Sequence, residues 1–437
     1  MHRDSLYRRI VAGETGAWTS PVRGLLWVVA AIYGRIVALR NAWYDRKGTA
    51  ARLRVPVISV GNLTVGGTGK TPFVIDLVRR LDALGFSPVV LARGYGAAPG
   101  KPNDEQQLIQ RNCPSVVCIS DPDRRRAGEL ACRRFGADVI VLDDGFQHRR
   151  LARDLDIVLV DATCPFGHGH LLPRGLLREP VTGLRRAHMV LLTRCDQVPP
   201  NELARIDDRL RELAPQAIHL RCQHRVTAIE RLAEDSRGRL SHTAGSHTAG
   251  SHAAGSHAAG SHAAGSHAAG GQSYSVLEGG LKGKRVVLFA GIAQPDSFKA
   301  TVASLGAEVV GTHWFPDHHR YTPRNLQSLL AADRFPAHDF LVTTEKDAVK
   351  LVELGGFDPS PRGTPLSGTS LSGTQRSGTA APGCPPASPS GTAEGGCSTT
   401  IVVVRVAIDF LNDGGTMLQA ILEQRLPRRP QTASRGL

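Results

Sequence analysis

VISVGNLTVGGTGKTPFV, residues 57–74, sets the fold class of this 437-residue chain. It reads as a β-strand, a glycine-rich turn and the start of a helix, with Gly69, Lys70 and Thr71 at the junction. Gly66, Gly67 and Gly69 carry no Cβ, so backbone N–H groups along residues 66–71, Thr68 included, can wrap a phosphate at the positive end of the helix dipole. In that arrangement Lys70 reaches terminal phosphates and the Thr71 hydroxyl faces Mg²⁺. The spacing departs from a strict G-x4-G-K-[ST] pattern, because Thr64 stands where the first glycine belongs. An ordinary glycine-rich βα turn explains the glycines but supplies neither the lysine nor the hydroxyl.

A second apolar strand ends in charge. Residues 137–150, ADVIVLDDGFQHRR, place Asp143 and Asp144 at a strand terminus, where P-loop proteins keep a carboxylate for the metal or its water shell. Gln147 and His148 follow closely. The strand in SPVVLARGYG ends in Arg93, a cation at the ligand-binding edge of an open α/β sheet. Further strands in LDIVLVDA and HMVLLTRCD, with a helix over residues 202–214, continue the βα alternation, which argues a parallel sheet with helices on both faces. Between them a loop carries His168, His170, Arg174, Arg178 and Glu179. The two histidines lack the further ligands a metal site needs. Asp104, taken alone, reads as a helix cap.

With 41% hydrophobic and 21% charged residues, the chain can build ordinary globular cores, and its length fits two domains. The net charge of +14 favours an anionic partner: a phosphorylated substrate, an acidic membrane surface or nucleic acid. No stacking-aromatic array or recognition-helix motif accompanies the charge, so nucleic acid is not expected as a partner. Eight cysteines without a CxxC pair point to free thiols in a reducing compartment. No cleavable signal peptide is recognised, because the apolar run from Gly24 is followed by Arg35, Arg40 and Asn41 and not by small residues. Residues 22–44, VRGLLWVVAAIYGRIVALRNAWY, form an apolar helix flanked by Trp27, Tyr33, Trp43, Tyr44 and arginines, as expected of a helix at a membrane interface.

The expected organisation is an N-terminal membrane-associated helix region (1–46), a P-loop kinase-type domain (47–236), a His/Gly/Ser/Ala pentapeptide-repeat linker (237–272) and a smaller α/β domain (273–357 with 401–426). The last is interrupted by a Gly/Ser/Thr/Pro-rich insert (358–400) read as disordered, and a basic tail follows (427–437). The six repeat histidines, from His242 to His267, fit a flexible linker better than a dedicated metal site. In the second domain KRVVLFAGIAQPDSF reads as strand, turn and helix, and FLVTTEKDAVK as a strand.

In these motifs the chain resembles the tetraacyldisaccharide 4′-kinases, the lipid A 4′-kinases of Gram-negative bacteria. The matching stretches are VISVGNLTVGGTGKTP, LARGYG, NDEQQL, DDGFQHRRLARDLDIVLVD, GHLLPRGLLREP, FAGIAQPDSF, FPDHHRYT and TTEKDAVK, in one order from about residue 23 to 350. The resemblance implies two Rossmann-like units with the site between them. It also implies Mg²⁺-dependent transfer of the ATP γ-phosphate to the 4′-hydroxyl of a tetra-acylated glucosamine disaccharide 1-phosphate, at the cytoplasmic face of the inner membrane. No obligate protein partner is inferred. The family's catalytic aspartate and histidine fall on Asp104 and His318, with His319 left as the alternative ring. Arg93, Gln147, His148, Arg178 and Glu179 are candidates for phosphate or sugar contacts. The family commonly has Gly-Asp-Glu-Pro where this chain has Asn103-Asp104-Glu105-Gln106, which leaves the local backbone around the aspartate open. A membrane-recruited nucleotide switch, which hydrolyses nucleotide without an acceptor, is the reading from a different class.

Overall fold

A computed structural model of the chain describes residue 10 and residues 20–48, 50–94, 102–232, 274–277, 279–331, 334–354 and 400–427. The expected linker, insert and basic tail lie almost wholly outside the described residues. In chain order the elements are α1 (Ser20–Lys47), β1 (Val57–Asn62), α2 (Lys70–Ala83), β2 (Pro88–Ala92), α3 (Asp104–Asn112), β3 (Val117–Ser120), α4 (Arg124–Arg134), β4 (Val139–Asp143), β5 (Leu155–Asp161), β6 (Met189–Thr193), α5 (Pro200–Leu213) and β7 (Ile218–Leu232). They continue with β8 (Tyr274–Val276), β9 (Arg285–Ala290), α6 (Pro295–Ser304), β10 (Glu308–Trp314), α7 (Pro323–Leu330), β11 (Phe340–Thr344), α8 (Glu345–Glu353), β12 (Thr400–Phe410) and α9 (Gly414–Arg425).

The strands form one twelve-stranded sheet in the order β10-β9-β11-β12-β7-β6-β5-β1-β4-β2-β3, with β8 paired to the far end of β7. Pairing is parallel except where β7 meets β12 and β8. β1, β4 and β5 are buried along their whole length, as befits parallel strands covered on both faces. On one face Phe73, Leu77 and Leu81, spaced four apart on α2, pack with Ile58, Val141 and Ile157. On the other, Ala127 and Ala131 of α4 meet Val57, Ile140 and Leu142. Successive residues of one strand thus feed opposite cores, which is why the apolar runs are unbroken.

The joint between the two halves of the sheet is a strand that the sequence reading did not single out. β7 pairs parallel with β6 through residues 218–221 and antiparallel with β12 through residues 222–231. β12, which follows the insert, thus lies between β7 and β11. A second difference falls in FLVTTEKDAVK. The strand stops at Thr344, whose side chain accepts the Asp347 N–H and caps a new helix, α8.

Helix α1 leaves Leu25, Trp27, Ile36 and Leu39 exposed, Leu39 at 72%. Among the described residues it is the one helix long and apolar enough to cross a membrane. Its other face is fixed to the first half of the sheet. Tyr33 donates to the Arg178 carbonyl at 2.7 Å, Arg40 to the Gln147 carbonyl at 2.8 Å, and Asn41 to Glu179 at 3.2 Å. Gly34 lies against Leu171 in this contact: a Cβ there would come within 2.7 Å of Leu171 Cδ1, so that side chain would have to turn aside.

Candidate active site

The parallel strands bring their C-terminal ends to one edge of the sheet. Asn62 ends β1, Asp143 ends β4, Asp161 ends β5 and Thr193 ends β6. The glycine-rich loop lies above them. Two of its carbonyls are tied down from below: Arg194 donates to Gly67 O at 2.8 Å and Thr193 Oγ1 to Thr68 O at 3.1 Å. In a trans peptide the following N–H points the opposite way, so the amides of Thr68 and Gly69 are turned away from that floor. Arg194 itself is held by an ion pair with the buried Asp161. Gly69 caps α2 in the left-handed region at φ 85°, and a Cβ there would meet His224 Nε2 at 2.7 Å. Burial pushes His224 down to about 3, with Arg194 adding to the effect, so the ring under the loop is neutral.

Lys70, the first residue of α2, donates to Asn62 Oδ1 at 3.1 Å and lies 3.6 Å from Asp144. The two adjacent carboxylates have opposite environments. Burial, reinforced by Glu105 and Asp144, pushes Asp143 up to about 7, and its Oδ1 is buried without a hydrogen-bond partner. Burial acts on Asp144 in the same sense, but Lys70 and Arg178 outweigh it and hold that carboxyl below the ordinary range. One Arg178 nitrogen donates to both Asp144 oxygens, at 2.7 and 2.8 Å. The chemistry suits Mg²⁺: the Thr71 hydroxyl at the start of α2 and two carboxylates at the end of β4, beside the phosphate-binding loop, with one carboxylate oxygen lacking any partner. Among the described residues no three His, Cys, Asp or Glu side chains form a metal cage. Mg²⁺ needs none, since it is commonly held by one or two carboxylates together with substrate phosphates.

The second cluster spans both halves of the sheet. Asp104 is the first residue of α3. Asn103, not Asp104, is the cap, and Asn103 and Gln106 bond each other's backbone N–H groups in a capping box. The two positions that depart from the family pattern therefore set the local backbone between them. His318, after β10, sits at φ 58° and places Nδ1 3.1 and 3.3 Å from the Asp104 carboxylate oxygens. His319 instead stacks on Phe315 and bonds Asn325, so it is His318 that faces Asp104. From α8, Lys350 Nζ approaches Asp104 at 3.3 Å and Lys346 Nζ at 3.7 Å. Burial alone would raise the Asp104 carboxyl; the His318 hydrogen bond and the two lysines overcome it and hold it well below the ordinary range.

Both clusters face one cleft of about 1080 Å³, whose lining includes Tyr33, Lys70, Asp143, Glu105, His318 and Lys346. Arg93 and His148 line it too; burial, with Arg124 and Arg153 adding, pushes His148 down to about 4. Gln147 bonds the Asn62 carbonyl and Glu179, both at 2.9 Å. Glu179, only 2% exposed, also holds Arg186 and Asn41, so it is a buried hub. Asn62, Thr193, Arg194, Lys346 and Lys350 were not singled out in the sequence. The two lysines carried a signal, because their i, i+4 spacing puts them on one face once α8 is known to be a helix.

A phosphate-binding loop, paired metal-type carboxylates and an Asp–His pair on one cleft define a P-loop protein of the kinase type. Residues 22–361 match the family model described as tetraacyldisaccharide-1-P 4′-kinase. The chain is 41% identical over 342 residues to the tetraacyldisaccharide 4′-kinase of Anaeromyxobacter sp. (strain Fw109-5), covering 74% of this chain and 81% of the relative. It is 38% identical over 354 residues to that of Syntrophus aciditrophicus, covering 77% and 86%. In fold it is similar to the crystal structure of the "apo" form of LpxK from Aquifex aeolicus in complex with ATP, at TM-score 0.58, 24% identity and coverage of 93% of this chain and 100% of the other. The chain belongs to the tetraacyldisaccharide 4′-kinase family.

Proposed function

We propose that this chain transfers the γ-phosphate of ATP to the 4′-hydroxyl of a tetraacyldisaccharide 1-phosphate, a step of lipid A biosynthesis. The observation that carries the reading is that the phosphate loop and His318 line one cleft, with Asp104 held directly behind His318 at 3.1 Å. Phosphoryl transfer requires a cradle, charge neutralisation and an oriented hydroxyl more than covalent chemistry by the protein. The loop amides, Lys70 and Thr71 bind the ATP phosphates. Thr71 with Asp143 and Asp144 would hold Mg²⁺, which would supply charge neutralisation on those phosphates. Asp104 accepts the proton of the sugar hydroxyl as its oxygen attacks the γ-phosphorus and the bond to the β-phosphate oxygen breaks, releasing ADP. His318 orients that carboxylate. Arg93 and His148, which line the cleft, are our candidates for sugar or phosphate contacts.

The expected division into 47–236 and 273–357 with 401–426 fits this reading, since Asp104 and His318 come from opposite units. The exposed apolar face of α1 and the charge of +14 support residence on the cytoplasmic face of an anionic inner membrane, which holds the acceptor. A nucleotide switch needs no Asp–His pair beside the phosphate loop. Incubation with γ-labelled ATP, Mg²⁺ and the lipid acceptor should move label into lipid. Hydrolysis that proceeds without transfer and ignores added lipid would favour the switch.

A further inference from the structure

Asp104 lies in an ionic cluster with more acid than its own chemistry requires. α3 contributes Asp104 and Glu105, the segment after β10 contributes Asp317 and His318, and α8 contributes Lys346, Asp347 and Lys350. Lys350 bridges Asp104 and the fully buried Asp347, at 3.3 Å from each. Asp347 is fixed in turn by the Gly291 N–H at 3.1 Å and the Thr344 hydroxyl at 2.8 Å. Lys346 Nζ lies 3.7 Å from Glu105, 3.8 Å from Asp317 and 3.3 Å from His318 Nε2.

An ammonium group can only donate, so in the neutral ring the contact with Lys346 favours Nε2 as the acceptor, while the Asp104 hydrogen bond raises the basicity of His318. The ring hydrogen is then on Nδ1, facing Asp104. We propose that Lys346 and Lys350 are positioning residues for the transfer, holding Asp104 as a free carboxylate and His318 with its hydrogen on Nδ1. The proposal rests on the reading of Asp104 as the base. The lysines neither give nor take the transferred proton; they act through the Asp104–His318 pair. The charges show why they matter: four carboxylates, Asp104, Glu105, Asp317 and Asp347, converge on the two ammonium groups. Burial is the largest influence on Asp104 and acts upward against the His318 hydrogen bond and the two lysines, so removing the cations makes the carboxyl easier to protonate.

The test is the pH profile of acceptor-dependent transfer in full-length Lys346→Met, Lys350→Met and the double variant. Removing an opposite charge at this range should move the acid limb of kcat/KM upward by at least about one pH unit per lysine, with ATP affinity unchanged. Lys346→Arg and Lys350→Arg keep the charge and should keep the wild-type limb. They also cover the case in which a methionine variant fails to fold. An acid limb that stays put in folded methionine variants overturns the proposal, as does an equal shift in the arginine variants, which would trace the effect to shape. Asp104→Asn separates the two levels: transfer at the wild-type rate in that variant removes the base itself, whatever the lysines do.

Discussion

The phosphate loop and the Asp104 cluster share a cleft but are built by different means. The loop is a local device. Its parts lie within residues 57–74, its conformation depends on glycines, and the carbonyls of Gly67 and Thr68 are fixed by Arg194 and Thr193 from the strand ends beneath. The Asp104 cluster is assembled from a distance: Asp104 and His318 are 214 residues apart and meet only because the two halves of the sheet are joined. Backbone geometry dominates the first, and side-chain charge the second. Donor binding should therefore answer to shape, and acceptor activation to charge.

Substitutions can break that contrast. The largest effect is expected at Asp104, where Asn keeps the size and removes the base; transfer should fall by about 10²- to 10⁴-fold. Lys70→Met comes next. Loss of one preorganised cation at the phosphates should lower kcat by about 10²- to 10³-fold, and unlike the change at Asp104 it should weaken ATP binding, measured by calorimetry. The smallest is Gly69→Ala. A left-handed residue with a Cβ costs roughly 1–2 kcal/mol, and His224 must also yield, so ATP affinity should drop about tenfold. Wild-type affinity in Gly69→Ala would show that loop shape matters less than the contrast holds.

The same difference explains what could be read in the sequence. The loop and Asp143-Asp144 were legible because strand, turn and charge are contiguous and obey period and composition. The pairing of Asp104 with His318 was legible only through resemblance, since no local pattern links α3 to the segment after β10. The choice of His318 over His319 needed coordinates: the two rings are adjacent, and only the φ 58° turn and the stacking of His319 on Phe315 separate them. Strand β7 escaped because its 15 residues change partner midway and its burial does not alternate cleanly. The lysines of α8 escaped because TTEKDAVK was read as the end of a strand. Thr344 with Asp347 three residues on was the capping signal that would have started a helix there.

The central claim is that one cleft holds a donor site and an independent acceptor-activating base. Its most direct test is to measure ATP affinity and lipid-dependent transfer together on folded Asp104→Asn. Wild-type ATP affinity with transfer nearly abolished is expected. Near-wild-type transfer, or ATP affinity lost in parallel with transfer, would contradict it.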